Sequence, residues 1–203
     1  MGYSRLLKST CVTNYGLLTC MSQGYQIRNQ QAIHFVTFTV IGWVNVFTKD
    51  PYRILVLDSL RYCQTNKGLV VHAWVIMSNH VHFIISCKSG YSLSDCIRDF
   101  KKFTSSAIIR EITYSSFENR KEWLLPIFQA AAQKNVRNRY YQLWYQHNHP
   151  VELSSNRMKQ QRLNYLHNNP VKAGVVSRPE DYVYSSAFAY SGGEDDRIKL
   201  EFL

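Results

Sequence analysis

Two apolar runs, Leu69 to Met77 and His80 to Ser86, are separated only by Ser78-Asn79. A two-residue break leaves no room for a crossover, so the runs must pair as antiparallel neighbours. The flanking segments fit a sheet built on that hairpin. From Ala32 to Phe47 the chain is rich in β-branched and aromatic residues, which predicts a strand, with Gly42 as a bulge or bend. Asp50-Pro51 then reads as a helix start, Asp at the N-cap and Pro at the first helical position. Ile54, Leu55, Leu57 and Leu60 carry the helical period until Gly68. Ser92 or Ser94 caps a second helix to about Glu111. Leu93, Ile97, Phe100, Thr104, Ala107 and Ile108 face inward along it, and Arg98, Lys101, Lys102 and Arg110 face out. A further helical stretch, Phe117 to Lys134, is expected to break at Pro126. Residues 138–153 read as loop or short strand, and a last helix runs from Ser154-Ser155 to Pro170. The order strand, helix, strand, strand, helix predicts an α+β fold with helices packed on one face of an antiparallel sheet.

The chain has 203 residues, enough for one domain with a proper core. No stretch approaches the roughly 18 to 20 apolar residues of a membrane span. Against 14 acidic residues stand 24 Lys and Arg, a net charge of +10. That excess points to a polyanion, nucleic acid first. Cys11, Cys20, Cys63, Cys87 and Cys96 are odd in number and form no CxxC pair. Neither a disulfide framework nor a zinc ribbon fits them; idle or buried thiols in a cytoplasmic protein do. Residues 1–21 carry polar interruptions that no secretory signal would have. They are expected to be a flexible extension ahead of a domain that starts near Met21.

Residues i and i+2 of a strand project from one face, so His80 and His82 aim two imidazoles at one point while Val81 faces the core. Such a pair can hold a divalent metal with an open coordination sphere, or can be two partly buried histidines. His72 could face either side of the preceding strand. Tyr165 and Asn169 stand one helical turn apart, with Pro170 biasing Asn169 out of the helix. A phenol and an amide presented together suit a nucleophile beside a metal ligand. Equally, Tyr165 can pack in the core and Asn169 can end the helix.

The string from His72 through Met77-Ser-Asn-His-Val-His-Phe-Ile-Ile85 resembles the histidine motif of the single-tyrosine HUH transposases. Tyr165-Leu-His-Asn-Asn-Pro-Val-Lys-Ala-Gly174, with Pro179-Glu-Asp-Tyr182 and Ser185-Ser186, resembles the carboxy-terminal signature of the same family. The branch it is most similar to is the REP-associated tyrosine transposases, relatives of the insertion-sequence 200-like enzymes. The resemblance implies a ferredoxin-like domain over residues 22–190, followed by a tail at 191–203. It implies Tyr165 as nucleophile, with His80, His82 and Asn169 as ligands of Mg²⁺ or Mn²⁺. It also implies a homodimer that cuts and rejoins single-stranded DNA beside a hairpin through a 5′-phosphotyrosine. Ser78 stands where many relatives have proline. Arg98, Lys101, Lys102, Arg137, Arg139, Arg162 and Lys172 are the candidate DNA contacts. Two other readings stay open: a domesticated hairpin-binding protein that no longer cuts, and a phosphodiesterase that uses water.

Overall fold

A computed structural model describes residues 27–135 and 140–203. The extension expected at 1–21, and Arg137 and Arg139, lie outside the described residues. Four antiparallel strands form one sheet: β1 (His34–Thr39), β2 (Leu69–Ile76), β3 (His80–Cys87) and β4 (Val151–Glu152), in the order β2-β3-β1-β4. The hairpin expected from the two-residue break is β2–β3, closed by Met77 N donating to His80 O at 2.9 Å. β1 is shorter than its composition predicts. It ends at Thr39, and the chain turns through Gly42 and Trp43, both with positive φ, before a second short turn at Val46–Thr48.

The first sheet face carries Val36, Phe38, Trp74, Val81 and Phe83 into the main core. Against it pack α1 (Asp50–Asn66) and α2 (Leu93–Tyr114). Asp50 lies inside the first turn of α1, where it accepts from Arg53 and Tyr184 rather than capping. Gly68, at φ +63°, stops α1; a Cβ there would sit 2.3 Å from the Tyr91 ring. Ser92 caps α2 by accepting from Asp95 N, and each of the six residues expected to face inward is buried.

α3 (Lys121–Gln133) runs straight through Pro126, against the expected break. Pro126 deprives the Glu122 carbonyl of its partner, but both residues are exposed, so water can take that bond. The second sheet face is not left open. Phe35, Ala73, Val75 and Ile84 meet Leu163 and Leu166 of α4 (Asn156–His167), capped by Ser155. Helices α1 and α2 thus occupy the expected face, and α4 adds a layer on the other. α4 ends at His167, earlier than Pro170, and a single helical turn, Asn169–Lys172, follows.

The outer edge of β2 is covered by later chain. Tyr184 O, Ser186 N and Glu201 N bond to Ile76, Trp74 and Val71 backbones at 2.9 to 3.0 Å. Ile198, within the segment expected to be a tail, is buried in the main core. This blunts an edge that would otherwise template aggregation.

Candidate nucleophile and metal-ligand site

β1 and β3 are the two central strands, and their register sets Thr37 opposite His82 and Thr39 opposite His80. These side chains share the sheet face covered by α4. His80 and His82 have ring centroids 4.7 Å apart, and Val81 between them is fully buried on the opposite face. The alternation expected along the strand therefore holds. His82 is 4% exposed and stacks on Phe35 at 5.2 Å.

Burial, then the neighbouring His80 and Arg162, brings the His82 imidazole down to about 3. Burial also lowers His80, partly opposed by a hydrogen bond with Asn169. Both rings are therefore neutral near pH 7, the form that ligates metals. The Asn169 amide donates from Nδ2 to His82 Nε2 at 3.2 Å, which fixes the His82 proton on Nδ1. That Nδ1–H donates to Thr37 Oγ1 at 2.8 Å. His80 repeats the scheme, donating from Nδ1 to Asn79 Oδ1 at 2.7 Å. His80 Nε2 is thereby left with its lone pair, as outer partners do at metal-binding histidines, whereas the lone pair of His82 Nε2 accepts from the Asn169 amide.

α4 brings Tyr165 to this pair. Its ring centroid lies 5.4 Å from His82 and 5.9 Å from Phe35, and the residue is 38% exposed. The alternative of a core tyrosine does not describe it. Asn169 comes from the turn after α4, where Asn168, at φ −81° and ψ 0°, ends the longer helix. Within the fold of this chain Tyr165 and the two histidines stand together. Among the described residues no three His, Cys, Asp or Glu side chains form a metal-binding group. The third donor here is an amide. Two neutral imidazoles and an amide oxygen would suit a divalent ion once the Asn169 amide turns over, exchanging the nitrogen it now shows to His82 for its oxygen.

The candidate cations separate into two groups. Arg162 lies 5.1 Å over the Phe35 ring and Lys172 lies 5.4 Å over the Tyr165 ring, both at the site. Arg98, Lys101 and Lys102 belong to α2, on the other side of the sheet. Arg98 pairs with Asp95 and Asp99. Lys101 donates to Tyr145 O at 2.7 Å and Asn148 Oδ1 at 2.6 Å, and burial brings its ammonium down to about 8. It ties a loop to the core. His72 is no ligand: Nδ1 donates to Glu201 O at 2.6 Å and Nε2 accepts from Ser86 Oγ at 3.0 Å. Sequence reasoning missed Thr37 and Asn79. Asn79 had a signal in its place beside His80, but Thr37 had none.

No helix among the described residues is long and apolar enough to cross a membrane. No curated protein matches the chain. Among solved structures it is similar to a REP-associated tyrosine transposase bound to a REP hairpin. That match has TM-score 0.60 and 15% identity, over 90% of this chain and 94% of that one. A protein of Deinococcus radiodurans R1, provisionally described as a transposase, aligns at TM-score 0.40 and 18% identity. It covers 72% of this chain and 94% of that one. The family described as "Transposase IS200 like" matches residues 28–135, more than half the chain and inclusive of both histidines. The chain therefore belongs to the IS200-like transposase family.

Proposed function

We propose that the chain cuts and rejoins single-stranded DNA beside a hairpin through a 5′-phosphotyrosine at Tyr165. The observation that carries this reading is the half-exposed Tyr165 ring 5.4 Å from His82. Through Asn169 and their own contact, the two neutral histidines converge on the same point.

A phosphodiester repels nucleophiles by its charge, and a phenol of pKa near 10 attacks slowly until a base or cation assists. A divalent Mg²⁺ or Mn²⁺ held by His80, His82 and Asn169 would neutralise charge on a non-bridging phosphate oxygen. Tyr165 supplies the nucleophile: its oxygen loses a proton and bonds to phosphorus while the bond to the 3′ oxygen breaks. The 3′ oxygen leaves as a hydroxyl, taking up a proton, and the 5′ phosphate stays on the tyrosine. One phosphate ester replaces another, so the 3′ hydroxyl can reverse the step without ATP. Arg162 and Lys172 stand where cations can hold the phosphate and ease charge on the phenolate.

The test is incubation of the protein with labelled hairpin DNA bearing single-stranded flanks, in Mg²⁺ or Mn²⁺. A denaturation-resistant protein–DNA adduct is expected, and it disappears in Tyr165→Phe. His80→Ala and His82→Ala are expected to abolish cleavage and leave hairpin binding largely intact. Cleavage that survives Tyr165→Phe overturns the reading in favour of water as nucleophile. Binding with no cleavage under any metal overturns it in favour of a domesticated binding protein.

A further inference from the structure

Trp43 is held in a conformation that its own packing does not explain. Its φ is +56°, directly after Gly42 at φ +67°, and among the described residues only His149 is another non-glycine with positive φ. A bulky side chain in the left-handed region costs free energy that glycine would avoid. Burial does not offset that cost, because the residue is 61% exposed. Strain retained at an exposed position belongs to a backbone that its surroundings over-determine, and such residues cluster at functional sites.

The surroundings here lead straight to the candidate site. Trp43 N donates to Val40 O at 3.0 Å, and its carbonyl accepts from Asn79 Nδ2 at 3.2 Å. The same Asn79 accepts from His80 Nδ1 through Oδ1. The indole centroid lies 6.1 Å from the His80 ring, the planes inclined at 67°. On the other side of the turn, the Tyr145 hydroxyl accepts from Gly42 N at 3.4 Å. One amide therefore holds both a proposed metal ligand and the backbone that carries the exposed indole beside it.

We propose that Trp43 is a stacking platform for the unpaired DNA base that neighbours the scissile phosphate, so that it positions the strand at His80 and His82. This rests on the reading above that the site takes single-stranded DNA. An indole offers a broad neutral face, every base has a π-face to meet it, and the adjoining phosphate would then lie toward the histidines. The ring supplies no hydrogen-bond code for a base, so the platform is tolerant of sequence.

Binding of (dT)₁₂ and of an abasic oligonucleotide of the same length tests this by fluorescence anisotropy, with the full chain and no metal required. The two probes share phosphates and differ in bases. Wild type is expected to prefer (dT)₁₂. Trp43→Ala should weaken (dT)₁₂ binding on the order of tenfold, leave abasic binding unchanged and so erase the preference. Trp43→Phe should keep most of it. Trp43→Gly relieves the left-handed strain, so it should lose the preference while melting no lower than wild type, which separates stacking from misfolding. Equal losses on both probes, or full retention of the preference in Trp43→Ala, overturn the proposal. Absence of a Tyr165 adduct would remove the transferase reading and leave this base-dependent binding standing; a wild type that shows no preference for (dT)₁₂ does the reverse.

Discussion

Asn79 spends both ends of one amide: Oδ1 accepts from His80 and Nδ2 donates to the Trp43 carbonyl. Alanine frees the His80 ring to rotate and change tautomer, so Mn²⁺ affinity and cleavage should each fall by about 10- to 100-fold. Aspartate separates the two roles, since a carboxylate still accepts from His80 but cannot donate to Trp43. Asn79→Asp should keep most Mn²⁺ affinity and lose preference for base-bearing over abasic DNA. Calorimetric titration with Mn²⁺ checks the first, and unchanged affinity in Asn79→Ala would contradict the positioning role. His80 and His82 were legible because a strand has a period of two, and the intact motif made Tyr165 and Asn169 legible too. Thr37 was not, because it reaches His82 only through the β1–β3 register, 45 residues away in sequence. Nor does a left-handed φ at Trp43 leave any mark on the pattern of apolar and polar residues.

Between α2 and α3 the chain folds around one buried carboxylate. Glu118 is 2% exposed and accepts from Tyr52 at 2.6 Å, from Arg120 Nε at 2.8 Å and from Lys49 at 3.2 Å. Arg120 foremost, with the Tyr52 and Lys49 bonds, holds it well below the usual carboxylate range against the cost of burial. Removing one member of a buried pair costs roughly 3–5 kcal/mol when the other charge is stranded. Here Lys49 and Arg120 are partly exposed and can be rehydrated, so Glu118→Gln should cost about 2 kcal/mol at pH 7. The unfolded chain takes up the proton first. The contribution is thus whole above the ordinary glutamate pKa, about 4.3, and fades as pH falls below it toward the lower folded value. Urea melts should show the Glu118→Gln deficit shrinking between pH 6 and pH 3; a constant deficit would contradict the network. None of this was visible in the sequence, where Glu118 sits in a polar stretch resembling any loop. Helix starts were legible where the cap is local, as at Ser92 and Ser155. The passage of α3 through Pro126 was not, because it depends on which carbonyl faces water. α4 also ends before Asn168, short of Pro170, the stop that the sequence marks.

Across the molecule, the +10 charge is the excess that remains once every carboxylate is counted, and only some of the cations are already paired. Arg53, Arg61, Lys67, Arg98, Arg120, Arg178 and Arg197 each meet a carboxylate. Arg162 and Lys172 have ring faces beneath them and no ion pair among the described residues, and they stand at the proposed site. Charge that is already neutralised releases few counterions when DNA binds, whereas an unpaired cation meeting a phosphate releases them fully. The salt dependence of binding should therefore depend on which cations are removed and not on how many. In a plot of log K against log salt for (dT)₁₂, Arg162→Gln and Lys172→Gln should each make the slope shallower by about 0.7, the single-strand value per phosphate contact. Arg98→Gln, on the far side of the sheet and paired with Asp95 and Asp99, should leave the slope unchanged. Abasic DNA should give the same three results, because these contacts are to phosphate and carry no base information. If Arg98→Gln flattens the slope while Arg162→Gln and Lys172→Gln leave it unchanged, the single strand runs over α2 and the face carrying Tyr165 is not where DNA binds.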